Sequence, residues 1–268
     1  MEALFSYGFL QRALVAGIFV AIACAILGLF LLLGRDAMIG HGLAHVTFGG
    51  VALGLFLNIL PLVMALIVAI LASWAIMKLK EKAGLHGDTA IGIFSSAGMA
   101  LGIALATLAG RFNADLLSYL FGDILAIEPL EVWLSMGLAV AVVIMILSNY
   151  HKLMFLTFDR EAAKASGVKT RRLDLLLTML TSITVVLGMK VVGILLVTAL
   201  LVIPAASGLQ LAASFKQALW VSSIVAFFSV LLGLIAAFVF DLPASATIVL
   251  LSLVFFGVFF LLRRKKSF

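Results

Sequence analysis

Long apolar runs alternate with short polar breaks along the whole chain. Nine runs stand out, at approximately 9–34, 39–57, 60–79, 89–109, 130–149, 173–188, 191–208, 218–240 and 244–262. A helix needs about 20 apolar residues to cross a bilayer, and most of these runs have that length. They show no period-two alternation, so a β-barrel is excluded. The pattern predicts an all-α polytopic membrane protein, with residues 1–268 forming a single transmembrane domain. The weakest boundary lies in 173–208, where only Gly188-Met189-Lys190 interrupts the run. Eight spans plus a re-entrant segment is therefore the alternative to nine. Pro204 fits an irregularity there, because proline removes a helix hydrogen bond. The first run, Phe9 to Leu33, is too long for a signal-peptide core and lacks a basic leader, so a retained span is expected.

Composition sharpens this picture. Apolar residues make up 65% of the chain and charged residues 11%, against about 45–50% and about 25% in soluble domains. A water-soluble enzyme is excluded. The net charge of +6 needs no nucleic acid, because Lys and Arg collect in cytoplasmic loops of membrane proteins. With the C-terminus inside and nine alternating spans, 15 of the 18 basic residues fall inside. Only Arg12, Arg111 and Lys190 fall outside. The N-terminus is thus expected outside. The outer side carries six acidic residues against those three basic ones, a balance that attracts cations. The single cysteine, Cys24, lies inside the first span and can form neither an intramolecular disulfide nor a metal cage.

The candidate chemistry sits in a few polar exceptions. His41 and His45 are four apart in the second run, so a helix stacks them on one face. Ionisable residues inside a span are costly and mark pathways or partners. Two imidazoles at this spacing can share a divalent cation, and imidazole suits zinc, copper, nickel and iron. Thr47, Asp123 or a second copy of the chain are candidates for further ligands. His86 and His151 fall in cytoplasmic loops and read as solvated. Asp115 and Asp123 flank a short apolar segment that reads as a partly inserted outer helix, which Asp123 either caps or opens as a pathway mouth. The longest polar stretch, 149–172, is cytoplasmic in this topology. Its middle favours a short helix capped at Asp159, with Glu161-Ala162-Ala163 followed by Gly167. Such a helix can dock into a groove on another protein. Gly50 and Gly54, and likewise Gly98 and Gly102, have the spacing of close helix packing. No phosphate-binding Gly-x-x-x-x-Gly-Lys motif occurs, and Gly167-Val168-Lys169-Thr170 has the wrong order. The chain therefore has no P-loop of its own for ATP. Nucleophile-elbow, Cys-x-x-Cys and His-Glu-x-x-His motifs are absent too.

The string Gly40-His41-Gly42-Leu43-Ala44-His45 through Gly50-Val51-Ala52-Leu53-Gly54 resembles an element of the permeases of bacterial ABC importers for zinc, manganese and iron, the ABC-3 family. Asp88 to Ile93, Leu120 to Leu125, Phe158 to Val168 and Val192 to Ala206 resemble further family strings in the same order. The resemblance implies a type II ABC importer-like fold in the bacterial plasma membrane. It also implies a second permease copy, a cytoplasmic ATPase dimer that binds the ATP, and an extracytoplasmic metal-binding protein. Asp159, Glu161, Ala162, Ala163 and Gly167 would then contact the ATPase, and His41 and His45 would handle transported zinc, with no permanently bound cofactor. Family members often carry Asp at the position of His41, and imidazole in place of carboxylate favours zinc over manganese. A manganese or iron permease is the first alternative. A stand-alone metal transporter is another, but it would have no use for an ATPase dock.

Overall fold

A computed structural model describes residues 8–82, 87–108, 119–120, 122 and 127–266. The fold among these residues is entirely helical, as it must be where lipid offers backbone groups no hydrogen bonds. Eleven helices follow one another: α1 (Gly8–Leu33), α2 (Met38–Leu57), α3 (Pro61–Lys82), α4 (Gly87–Leu108), α5 (Pro129–Ser148), α6 (Tyr150–Phe158), α7 (Arg160–Ala165), α8 (Thr170–Val192), α9 (Ile194–Leu211), α10 (Phe215–Phe240) and α11 (Ala244–Lys266). All but α6 and α7 are long and apolar enough to cross a membrane, which makes nine spans among the described residues.

The region 173–208 resolves into two full spans, and the break is displaced from its expected place. Gly188 and Lys190 lie inside α8, and the chain turns at Gly193, whose φ is +85°. A Cβ added at Gly188 would approach Val197 to 2.8 Å, so the helices double back on each other tightly. Lys190 stays helical because its ammonium pairs with Glu131 of α5. Glu131 also accepts from the Glu128 amide at 3.1 Å, closing a capping box at the start of α5. Pro204 is accommodated within α9.

The polar stretch 149–172 is more helical than expected. Asn149 separates α5 from α6, and α6 was not anticipated. Phe215 at the start of α10 meets Phe30 of α1, Tyr150 and Phe158, which fixes α6 against the bundle.

Two groups of helices pack around α8. In one, α2 lies between α3 and α4; in the other, α1, α9, α10 and α11 pack together, with α5 against α1. Glycines set the closest approaches. A Cβ on Gly50 would come within 2.8 Å of Ala65 Cα, and one on Gly54 equally close to Pro61 Cα. On the opposite face of α2, a Cβ on Gly49 would reach the Gly98 carbonyl at 2.6 Å, and one on Gly102 would strike Phe48 at 2.8 Å. α2 is thus gripped on both sides. Ion pairs and hydrogen bonds show which ends share a side. Lys80 meets Asp36, Arg160 meets Asp174, and Arg263 donates to Gln210 at 3.0 Å. The basic residues around these contacts make that end cytoplasmic.

Candidate functional site

The site grows out of the packing of α2. From Ile39 to Ala52 every residue is buried except His41 and His45. Four-residue spacing puts both imidazoles on the one stripe of α2 that neither α3 nor α4 covers. Their Nε2 atoms lie 3.1 Å apart, with the ring planes at 88°. In this arrangement one Nε2 donates and the other accepts. Two imidazole nitrogens at about 2.0–2.1 Å from a tetrahedral cation sit roughly 3.3 Å apart, so the pair is already spaced to share one. The Nδ1 of His45 is buried and has no hydrogen-bond partner.

His45 also borders a recess of about 430 Å³ lined by Ser95, Ser96, Met99, Ala100 and Ile103 of α4. Many hydroxyls elsewhere in the spans bond back to their own helix, although that of Ser229 in α10 is buried without a partner among the described residues. Thr47, Ser73, Thr181, Thr184, Ser207, Ser222 and Ser252 each donate to a carbonyl four residues earlier. Ser95 and Ser96 have no hydrogen-bond partner among the described residues. Their hydroxyls are left for whatever fills the recess. Sequence reasoning missed them, since a serine pair in an apolar run carries no marker; the small residues around it, Gly92, Ala97 and Ala100, are the one available sign.

Other expected ligands are not brought to the pair. Thr47 is fully buried on another face of α2, and its hydroxyl donates to the Leu43 carbonyl at 2.7 Å. Asp123, Asp115 and His86 lie outside the described residues. His151 is exposed on α6 beside Tyr150. Cys24 is buried in the core of the bundle.

At the cytoplasmic end, the Asp159 carboxylate accepts from the Ala162 amide at 2.9 Å and caps α7. Glu161 and Lys164 are exposed, whereas Ala163 is fully buried and seats the helix. Gly167 closes α7 at φ +79°: its amide donates to the Lys164 carbonyl, and the Val168 amide donates to the Ala163 carbonyl at 3.0 Å. That double closure needs a left-handed residue, which explains the glycine. Arg160 pairs with Asp174 at the start of α8.

A helical bundle with nine spans among its described residues, a histidine pair beside a recess and a short capped helix at its cytoplasmic end defines a multi-pass transport protein. It belongs to the bacterial plasma membrane. The chain belongs to the ABC 3 transport family, which matches residues 6–263. It is 33% identical over 268 residues to the manganese import system permease protein ScaB of Streptococcus gordonii, covering 100% of this chain and 96% of that one. It is 31% identical over 255 residues to the high-affinity zinc uptake system membrane protein ZnuB of Haemophilus influenzae, covering 95% and 97%. Among solved structures, PsaBC from Streptococcus pneumoniae in complex with Fab superposes with a TM-score of 0.86 at 33% identity, covering 97% of this chain and 93% of that one.

Proposed function

We propose that this chain is the permease subunit of an ABC importer for a divalent transition metal, and that His41 and His45 receive the cation in transit. The observation that carries this reading is the 3.1 Å Nε2–Nε2 separation on the one open stripe of α2. Two copies of the chain would face each other across a two-fold axis and offer up to four imidazoles. The face of α4 supports that arrangement, because unbonded hydroxyls are costly against lipid and acceptable against water or a second copy. Two ligands per copy with open positions suit a cation that must leave as well as bind. A cytoplasmic ATPase pair would dock on α7 through Asp159, Glu161, Ala162, Ala163 and Gly167, and an extracytoplasmic binding protein would deliver the metal.

The imidazole pair favours zinc as cargo, because manganese prefers oxygen ligands. A second reading, manganese, is supported by the relatives named for manganese import at similar identity. Competition uptake into proteoliposomes holding the complete complex separates the two. Excess zinc should suppress radiolabelled manganese entry far more than the reverse; the opposite ranking would make manganese the cargo. Glu161→Ala should weaken ATPase association or waste ATP, and normal assembly and transport in that variant would remove the docking assignment.

A further inference from the structure

A cleft of about 490 Å³ opens at the cytoplasmic end of the bundle, with Arg35, Asp36, Arg160 and Asp174 on its wall. Asp36, Arg160 and Asp174 line it and Lys80 joins them through Asp36, so four separate stretches of chain contribute. Asp36 lies in the corner between α1 and α2, Lys80 near the end of α3, Arg160 at the start of α7 and Asp174 at the start of α8. Lys80 Nζ donates to Asp36 Oδ1 at 2.6 Å, and Arg160 Nη2 donates to Asp174 Oδ2. Asp174 is the deepest of the four, with 12% of its side chain exposed, while Arg160 is 56% exposed. Asp36 and Asp174 line the same cleft, so the two ion pairs are neighbours. The corner itself is strained. Arg35 holds φ +61°, in the left-handed region that a β-carbon disfavours. α2 starts at Met38, three residues before His41.

We propose that these four groups form an exchange switch that transmits movement of α7 to the histidine-bearing helix α2. This rests on the reading of α7 as the ATPase dock. When α7 is displaced, Arg160 leaves Asp174. A carboxylate so little exposed is costly without a partner. Lys80, held by Asp36 beside the same cleft, is the cation that transfers to Asp174. Asp36 is then free, the strained Arg35 corner is no longer tied to α3, and α2 can shift with His41. The return of Arg160 reverses the exchange. Two discrete pairings of the same four groups supply the bistable element that a coupling mechanism requires. A static brace would hold the same contacts, but its loss at either end would have one and the same effect.

That difference gives the test. The complete complex, with its ATPase and extracytoplasmic binding protein, is reconstituted in proteoliposomes and supplied with zinc. Asp174→Asn removes the need for Lys80 to move, so the corner stays tied. The variant should assemble, hydrolyse ATP and bind zinc at equilibrium as the unaltered complex does, but ATP consumed per zinc imported should rise by about fivefold or more. Asp36→Asn unties the corner permanently and should instead let zinc leak without ATP. Asp174→Glu keeps the charge and should keep the normal stoichiometry, which controls for folding. Unchanged coupling in both asparagine variants overturns the switch, and so does a parallel slowing of uptake in both. The docking reading has its own check: if Glu161→Ala leaves ATPase association and coupling untouched, that reading falls, whatever the asparagine variants do.

Discussion

Helices α4 and α11 are both largely uncovered by the rest of the chain, with 17% and 22% of their spans buried. Their open faces differ in kind. α11 presents Leu250, Leu253, Val254, Val258, Phe260 and Leu261. Its Thr247 and Ser252 hydroxyls are satisfied by carbonyls of the same chain. α4 mixes Ile93, Leu101 and Ile103 with exposed Gly92, Ser96, Ala97 and Ala100. Its two serines have no partner among the described residues. Lipid accepts the first face and penalises the second. On the proposed function, exposure in one chain means different things on the two helices: α11 would face acyl chains, and α4 the path and a second copy.

The largest effect that this contrast predicts falls on the histidine pair, whose His45 borders the α4 recess. Replacing both His41 and His45 by Ala should bring metal uptake down to background while ATPase association, measured by co-purification, stays intact. Uptake at the normal rate would leave the α4 face without a cargo and break the comparison outright. Next comes the seam that positions α4. A side chain at Gly98 would collide with the α2 backbone, since its Cβ would stand 2.6 Å from Val46 Cα. Overpacking of this kind costs about 1–3 kcal/mol, and more where backbone is struck. Gly98→Leu should therefore lower the melting temperature of purified permease sharply and reduce its yield. An unchanged melting curve would mean that α2 and α4 do not meet as described.

The spans were legible in the sequence because hydropathy is a local property, and so was the cap at Asp159, which lies next to the helix that it starts. The four-residue spacing was enough to place His41 and His45 on one face. Hydropathy could not say which stripe of α2 stays open, because that depends on Gly49 meeting Gly98 and Gly50 meeting Ala65, contacts between distant residues. It also misplaced the turn between α8 and α9. Lys190 looked like a loop residue, but Glu131, remote in sequence, holds it inside a helix, and the turn falls to Gly193. Asp36, Lys80, Arg160 and Asp174 lie in separate stretches of the sequence, and only the fold brings three of them to one cleft with Lys80 bonded to Asp36. α6 was missed because its polar positions, Tyr150, His151 and Lys152, resemble a loop until Phe215 is placed against them.

A smaller effect sharpens the comparison at a single position. Ser96→Leu should be harmless or helpful if Ser96 faces lipid, since leucine is cheaper there than an unbonded hydroxyl. If Ser96 faces the path, the bulkier apolar side chain beside His45 should cut uptake by about tenfold, the size of effect often seen for groups next to a bound metal. Thermal stability in detergent should hold in either case. Uptake at the unaltered rate would move α4 into the class of α11.

The smallest effect is expected on α11. An added Cβ at Gly257 would find nothing within 4 Å, and the helix there has ordinary dihedrals. Glycine inside a helix costs about 0.8–1.0 kcal/mol relative to alanine, because more backbone freedom is lost on ordering. Gly257→Ala should therefore leave metal uptake unchanged and raise the melting temperature slightly. On α2 the same exchange at Gly49 meets the Gly98 carbonyl at 2.6 Å and should do the reverse. Measured side by side, the two variants ask whether Gly257 of α11 serves close packing as Gly49 of α2 does. A fall in stability or uptake from Gly257→Ala would show that α11 is covered by protein, and the lipid-facing half of the comparison would then be wrong.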